Sequence, residues 1–458
     1  MAAQAVSVVA PSPGMMSATA MVTAMGAAAV PVIGLATLAM MLVGLAVAQF
    51  ARRMAAAGSL YTYVSKGLGP TAGFLTGCAL ILAYGSLVVM CLLGSGRRVV
   101  GFLVEAGALH RPAGDAPALL VTALLGAAMT AIVVRGIRIS AALTLLLEAG
   151  SVVAVLTALT VAAYRGTAAG PPPSALDLGV FAAALLTGIK ALVGFESGCA
   201  LSVEARKPFA VVPRVVLWTP AACGALFALA AVLHLVALAR GGGADGSGPP
   251  LPVLPALVQL GLASSLFACA MASMNAVVRV LFSMGRERVT PPALGRTHAR
   301  YRTPYVAAYA MVPLAVGVPL VMWALGTSTR RVSGWLGLLA VLAFLVAYLL
   351  VCLAAAPFLH RIGEATAGAT GVAALAAAVT AGSLVLVVRA GLNDGLGWVV
   401  AALVGFLGLG LLWLLRVRRR APHRLSAMGF FDAATPDDIL PGASPDGLAP
   451  GAASRRAR

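Results

Sequence analysis

Glu196 stands between two glycines, in Gly194-Phe195-Glu196-Ser197-Gly198, in the middle of an apolar run from Val180 to Val216. A carboxylate at that depth can hold a substrate amine or carry a proton, since a charge in hydrocarbon is tolerated only with a partner. It can also be structural, because an acid at the start of a helical segment meets the positive end of the helix dipole. Both readings stand on the sequence. Lys190 lies four residues before the break and Glu148 near the middle of an earlier apolar segment. Intramembrane ionisable residues face the bundle interior and pair with one another or with backbone carbonyls. Lys190 and Glu148 therefore read as a static ion pair, a snorkelled lysine beside a separate acid, or a proton relay.

The backbone supplies chemistry as well. Freed amides and carbonyls in hydrocarbon cost several kcal/mol each unless something satisfies them, so a break is tolerated where it lines a cavity. A second break falls at Ala10-Pro11-Ser12-Pro13-Gly14. If the outer half-helix begins near Met15, its first amides suit a carboxylate. The carbonyls of Val193, Gly194 and Phe195 would then accept from an ammonium group. Gly14, Gly194 and Gly198 would permit close backbone approach, with Phe195 and Tyr84 facing the ligand's side chain. Tyr84 reads equally as core packing. Glu204 and Arg279, at the inner ends of their helices, form a candidate gate or a structural pair. Ser151, Ser273 and Asn275 are candidate coupling-ion positions, and the lone His234 reads as a satisfied core residue.

The elements that must position these residues are membrane helices. Apolar residues make up 61% of 458 positions and charged ones 10%, with a mean hydropathy of +0.99. A hydrocarbon core of roughly 30 Å needs about 20 apolar residues per crossing. Twelve such segments are expected, at about 2–26, 29–51, 71–95, 116–134, 139–163, 178–204, 215–239, 254–283, 304–326, 333–358, 366–389 and 395–416. The net charge of +18 is a topology signal rather than a nucleic-acid surface: the even-numbered gaps hold fourteen Lys and Arg, the odd-numbered gaps eight. By the positive-inside rule the even gaps and both termini face the cytoplasm, and the remaining basicity attracts anionic lipid headgroups. Only nine residues precede Pro11 in its segment, about half a bilayer as helix. A secretory signal would want a charged leader, which is missing here.

The breaks fall in helices 1 and 6, the first members of two five-helix blocks. Interrupted helices at matching positions of two halves point to an inverted repeat with a midplane solute site. The expected fold class is thus an all-α integral membrane protein of twelve helices with a five-plus-five inverted repeat. Residues 1–163 form the first repeat, 164–358 the second, and 359–418 two peripheral helices. Residues 419–458, rich in Pro, Gly, Ala and Asp, read as a disordered cytoplasmic tail, and Gly241–Pro250 as a flexible external loop.

Three stretches carry a family resemblance: AGSLYTYVSKGLGPTAGFLTG from Ala57, GFESGCALSVEARKPFAVVPRVVL from Gly194, and ASMNAVVRVLFSMGRERVTPPALGRTHARYRTP from Ala272. Together, and in this order, they resemble the amino acid–polyamine–organocation superfamily of permeases, from about Ala2 to Arg416. The resemblance implies alternating access and secondary transport of an amino acid or related amine, proton-coupled or by exchange. Two positions depart from the pattern. Leu82-Ala83-Tyr84 lacks the acid that relatives taking cationic amino acids often carry there. Ser151 stands where some proton-coupled relatives place a lysine.

Other classes fit less of the chain. A membrane-embedded sensor would bind without moving its ligand, and a polyamine or organocation carrier would share the fold. An enzyme would need an acid–base or metal cluster. No such cluster stands out, so no cofactor and no metal is expected. The six cysteines form no CxxC and all lie in apolar segments, as packing residues do.

Overall fold

A computed structural model describes residues 1–56, 58–110, 112, 114–166, 178–205, 207–241, 253–426, 428 and 429. The regular elements among them are all helical. The chain begins with α1 (Ala2–Val9) and α2 (Pro11–Met25), separated by Ala10 alone. Pro11 has no N–H to continue α1, and its ring disfavours the helical conformation at the residue before it. Ala10 accordingly takes the left-handed conformation (φ 53°, ψ 73°), and Pro11 opens α2 as a first-turn proline. A 3-10 turn, Gly26–Ala28, leads into α3 (Ala29–Ala51). There follow α4 (Leu60–Leu68), α5 (Pro70–Glu105), α6 (Ala116–Arg135), α7 (Ile137–Arg165) and α8 (Leu178–Leu192). A ten-residue 3-10 helix, Phe195–Glu204, precedes α9 (Pro208–Gly241) and α10 (Val253–Arg286). The chain continues with α11 (Tyr305–Val312), a π turn at Pro313–Gly317, α12 (Val318–Ala324), α13 (Thr329–Arg361), α14 (Ala367–Asn393), α15 (Gly397–Arg420) and α16 (His423–Ser426).

Among the described residues, eleven helical stretches are long and apolar enough to cross a membrane, against the twelve segments expected. The difference lies in Ala2–Ala51, one stretch of 50 residues. At 1.5 Å per residue it would measure about 75 Å, more than twice a hydrocarbon core. It folds back on itself at Gly26, whose φ of 63° and ψ of −139° need a residue without a side chain. Both α2 and α3 then pack on α8 and α9.

The helix expected to end near Ser95 runs on to Glu105. Arg97 and Arg98 do not stop it, because neighbouring helices meet them. Arg97 donates to the Thr329 carbonyl (3.0 Å) and to Ser333 Oγ (2.9 Å) on α13, and Arg98 to Gln259 Oε1 (3.1 Å) on α10. This helix, α5, lies at the centre between α10 and α13, with 83% of its apolar window buried against 17% for α15. Of the crossing helices, α15 is therefore the most peripheral.

The stretch expected to be disordered from residue 419 begins ordered. Met428 is buried, the Gly429 N–H donates to Glu287 Oε1 (2.7 Å), and Arg424 reaches the Arg288 carbonyl (3.3 Å). Its remainder, residues 430–458, and the expected external loop beyond Gly241 lie outside the described residues.

Where α2 meets α9, the sequence's glycine is required by a ring. A Cβ on Gly14 would sit 2.1 Å from Phe227 Cζ. Gly14→Ala is expected to destabilise the bundle by about 1–3 kcal/mol as an overpacked core does. Phe227→Leu in the same chain should restore the melting temperature in detergent. A Gly14→Ala variant that melts with the wild type would remove this account of the helix contact.

Candidate functional site

At the second break, α8 ends at Leu192 and Gly194 turns the chain with φ +89°. The Gly194 carbonyl accepts from the Ser197 N–H (3.1 Å), while its own N–H donates to the Tyr348 hydroxyl (2.7 Å). The residues after it wind as 3-10 rather than resuming an α-helix. Such runs seldom exceed three or four residues and mark strained or functional segments. A Cβ on Gly194 would lie 2.2 Å from Val8 Cγ1 of α1, and one on Gly198 3.2 Å from Val215 and 3.5 Å from Ala5. The close approach expected at these glycines is thus made by protein. The two breaks lie against each other.

Glu196 is fully buried, and both carboxylate oxygens are taken. The Tyr84 hydroxyl donates to Oε1 at 2.6 Å, and the Tyr348 hydroxyl donates to Oε2. Aromatic contacts fix the donors: Tyr84 meets Phe344 edge-on at 5.0 Å, Phe344 lies 5.9 Å from Tyr348, and Phe195 lies 5.6 Å from Tyr348. Tyr84 on α5, Glu196 at the break and Tyr348 on α13 therefore form one brace across the bundle. Tyr348 and Phe344 were not among the residues expected from sequence. A signal was present: within Leu336–Phe358, Tyr348 and Cys352 alone carry a hydrogen-bonding side chain.

The first break differs from its expected form. It occupies Ala10 only, and the outer half-helix begins at Pro11 rather than near Met15. Pro11 and Pro13 have no N–H, and the Gly14 N–H goes to the Ala10 carbonyl (3.2 Å). Among the described residues that leaves the Ser12 N–H as the first-turn donor for a carboxylate. Met15 is buried in the core. Ser12 Oγ lies 2.5 Å from Ser151 Oγ on α7, and Ser151 Oγ lies 2.7 Å from the Gly261 carbonyl on α10. A carbonyl only accepts and Ser151 has one proton, so Ser151 donates to Gly261 and accepts from Ser12. Gln4, missed from sequence although it is the one amide side chain of α1, donates to the Ala272 carbonyl at 2.6 Å. Its Oε1 is buried without a partner among the described residues.

The structure does not bring Glu148 and Lys190 together. Glu148 Oε1 accepts from Ser265 Oγ of α10 (2.7 Å), and its Oε2 is buried with no hydrogen-bond partner among the described residues. Lys190 instead lines a cavity of about 600 Å³ with Val193, Trp335, Arg331 and Asp394. Ser273 and Asn275 also separate. Ser273 lies beside Cys269 (3.9 Å), which donates to the Val8 carbonyl at the first break (3.2 Å), whereas Asn275 donates to Ser140 Oγ of α7 (2.8 Å). Arg279 and Glu204 do form the expected ion pair, and Arg279 also reaches the Ala200 carbonyl (3.3 Å). His234 is met by Thr23 Oγ1 at 3.3 Å. Among the described residues no three His, Cys, Asp or Glu side chains gather as metal ligands.

Comparison with known proteins agrees with this architecture. A manganese transporter of Eremococcus coleocola superposes with a TM-score of 0.58 at 13% identity, over 92% of this chain and 94% of that one; that likeness concerns the fold. An uncharacterized transporter of Mycobacterium tuberculosis is 31% identical over 280 residues, 57% of this chain and 58% of its own. The branched-chain amino acid permease of Bacillus subtilis is 26% identical over 301 residues, covering 60% and 63%. A low-affinity putrescine importer of Escherichia coli is 25% identical over 310 residues, covering 63% and 66%. The match thus spans about three fifths of the length of these relatives. The amino acid permease family model matches residues 5–390, and with it the helix breaks, the buried acid and the all-helical membrane architecture place this multi-pass chain in the amino acid permease family.

Proposed function

We propose that this chain is a secondary transporter that moves an amino acid or a close amine analogue across the cytoplasmic membrane by alternating access. The observation that carries the reading is the meeting of two broken helices beside one buried carboxylate. The substrate's carboxylate faces the Ser12 amide at the start of α2. Its ammonium faces the carbonyls and the Tyr84–Glu196–Tyr348 brace at the second break. Phe195, Phe344 and the tyrosine rings form the walls for the side chain. Polyamines are the weaker reading of substrate, because a diamine has no group for the Ser12 amide.

Twelve crossings in two inverted blocks, 1–163 and 164–358, with 359–418 outside them, fit the pairing of α3 with α9 and of α5 with α10, helices at matching places in the two blocks. Both chain ends lie on the cytoplasmic side in this reading. The Arg279–Glu204 pair closes that side, and opening to it requires the pair to part. Coupling is to protons or by exchange.

Counterflow in proteoliposomes with a labelled panel of neutral amino acids, cationic amino acids and putrescine tests the substrate class. Uptake of a neutral amino acid against a trans pool is expected. Ligand binding without counterflow would mean a sensor, and putrescine alone would reverse the substrate assignment. A protonophore is expected to collapse accumulation while sodium replacement leaves it unchanged. Sodium dependence would move coupling to the Ser273 and Cys269 side of the first break.

A further inference from the structure

Three cations line one cavity of about 590 Å³ on the membrane face that carries the docked C-terminal segment. They are Lys66 at the end of α4, Arg361 at the end of α13 and Arg418 in the last turn of α15, and no acidic residue among the described ones lines the cavity. Glu287 acts electrostatically on Lys66, but its carboxylate already accepts from the Tyr61 hydroxyl and the Gly429 N–H. Among the described residues that line the cavity, every charged side chain is basic. Arg361 donates one nitrogen to the Lys66 carbonyl at 2.7 Å, which positions the guanidinium and leaves its other donors for a ligand.

We propose that this cavity holds the phosphate-bearing headgroup of an anionic membrane phospholipid. Its place argues for a lipid over a soluble anion. It opens beside α15, the most lipid-exposed crossing helix, at the point where that helix leaves the membrane through Arg416, Arg418, Arg419 and Arg420. Leu425 and Met428 of the C-terminal segment line it together with the cations, so a headgroup meets charge while its glycerol end meets apolar side chains. The α5 N-terminus contributes Thr71 to the lining, where the helix dipole also favours an anion. An occupied cavity ties α4, α13, α15 and the C-terminal segment to one ligand. The inference depends on the orientation proposed above only for which leaflet supplies the lipid.

The test uses the full chain, purified and delipidated in detergent, with bound lipid counted by native mass spectrometry. Phosphatidylglycerol, phosphatidylcholine of the same chain length and inorganic phosphate are compared. Phosphatidylglycerol should be retained, phosphatidylcholine should not, and millimolar phosphate should not displace the lipid. At about 1 kcal/mol per basic residue near an anionic surface, Lys66→Gln, Arg361→Gln and Arg418→Gln together should weaken retention by about a hundredfold. Arg52→Gln, Arg296→Gln and Arg300→Gln together remove the same charge elsewhere and should leave it unchanged. If the first triple fails to fold, Arg418→Gln alone, at an exposed position, should cost about fivefold. Equal loss in both triples, or equal retention of the two lipids, would overturn the site. Displacement by phosphate would make it a soluble-anion site and overturn the lipid. Transport is not the readout, so failure here is separable from failure of the transport reading.

Discussion

Glu196→Ala is expected to abolish uptake and to lower stability together. The carboxylate is the acceptor for two buried phenols, Tyr84 and Tyr348. Without it both hydroxyls lose their acceptor, at roughly 1–3 kcal/mol each, or about 2–6 kcal/mol in all. Glu196→Gln separates the two roles of this residue. The amide still accepts from one tyrosine and can donate to the other, so folding should survive with a melting temperature near that of the wild type. On the proposed reading transport should still be lost, because the amide offers an ammonium no negative charge. Melting by intrinsic fluorescence alongside labelled uptake checks both arms. Wild-type uptake by the glutamine variant would reduce Glu196 to a structural cross-link, and Tyr84→Phe and Tyr348→Phe would then carry no transport phenotype beyond their stability cost.

The second large effect is expected at Glu148. Its Oε1 is bonded to Ser265 while its Oε2 has no hydrogen-bond partner among the described residues, and Lys190 lies elsewhere, in the cavity with Asp394. A carboxyl group so placed can bind and release a single proton as the bundle opens to one side or the other. Glu148→Gln should therefore spare exchange of labelled substrate and reduce accumulation driven by a pH gradient about tenfold or more, a loss of at least about 1.4 kcal/mol of coupling. Lys190→Met should leave accumulation intact, and adding it to Glu148→Gln should rescue nothing. Rescue by the double variant would mean that the two residues pair in another state of the transport cycle. Full accumulation by Glu148→Gln would remove the residue from coupling altogether.

That Glu196 and Glu148 turn to the bundle interior was legible in the sequence, because ionisable residues in apolar segments seldom face lipid, and both are buried. Their neighbours were not. Tyr348 is 152 residues from Glu196 and Ser265 is 117 from Glu148, and sequence spacing carries no trace of such contacts. Lys190 shows a second gap. A soluble helix announces its buried face by apolar periodicity, but around Lys190 lipid and protein interior are equally apolar, so direction around the axis had no signal. The prolines of the first break were visible as a break. That they also leave the first turn of the outer half-helix short of two amides follows from the missing N–H of proline at residues 11 and 13, because the interruption is Ala10 alone and the helix starts at Pro11.

The 3-10 winding of Phe195–Glu204 also sets a length. Ten residues rise about 20 Å at 2.0 Å each, against about 15 Å as an α-helix. Rewinding the same residues into α form would draw Glu204 about 5 Å towards Gly194, and Arg279 would have to follow to keep the pair. The pitch of this segment therefore sets how far Glu204 stands from Gly194, and with it where the pair with Arg279 can form.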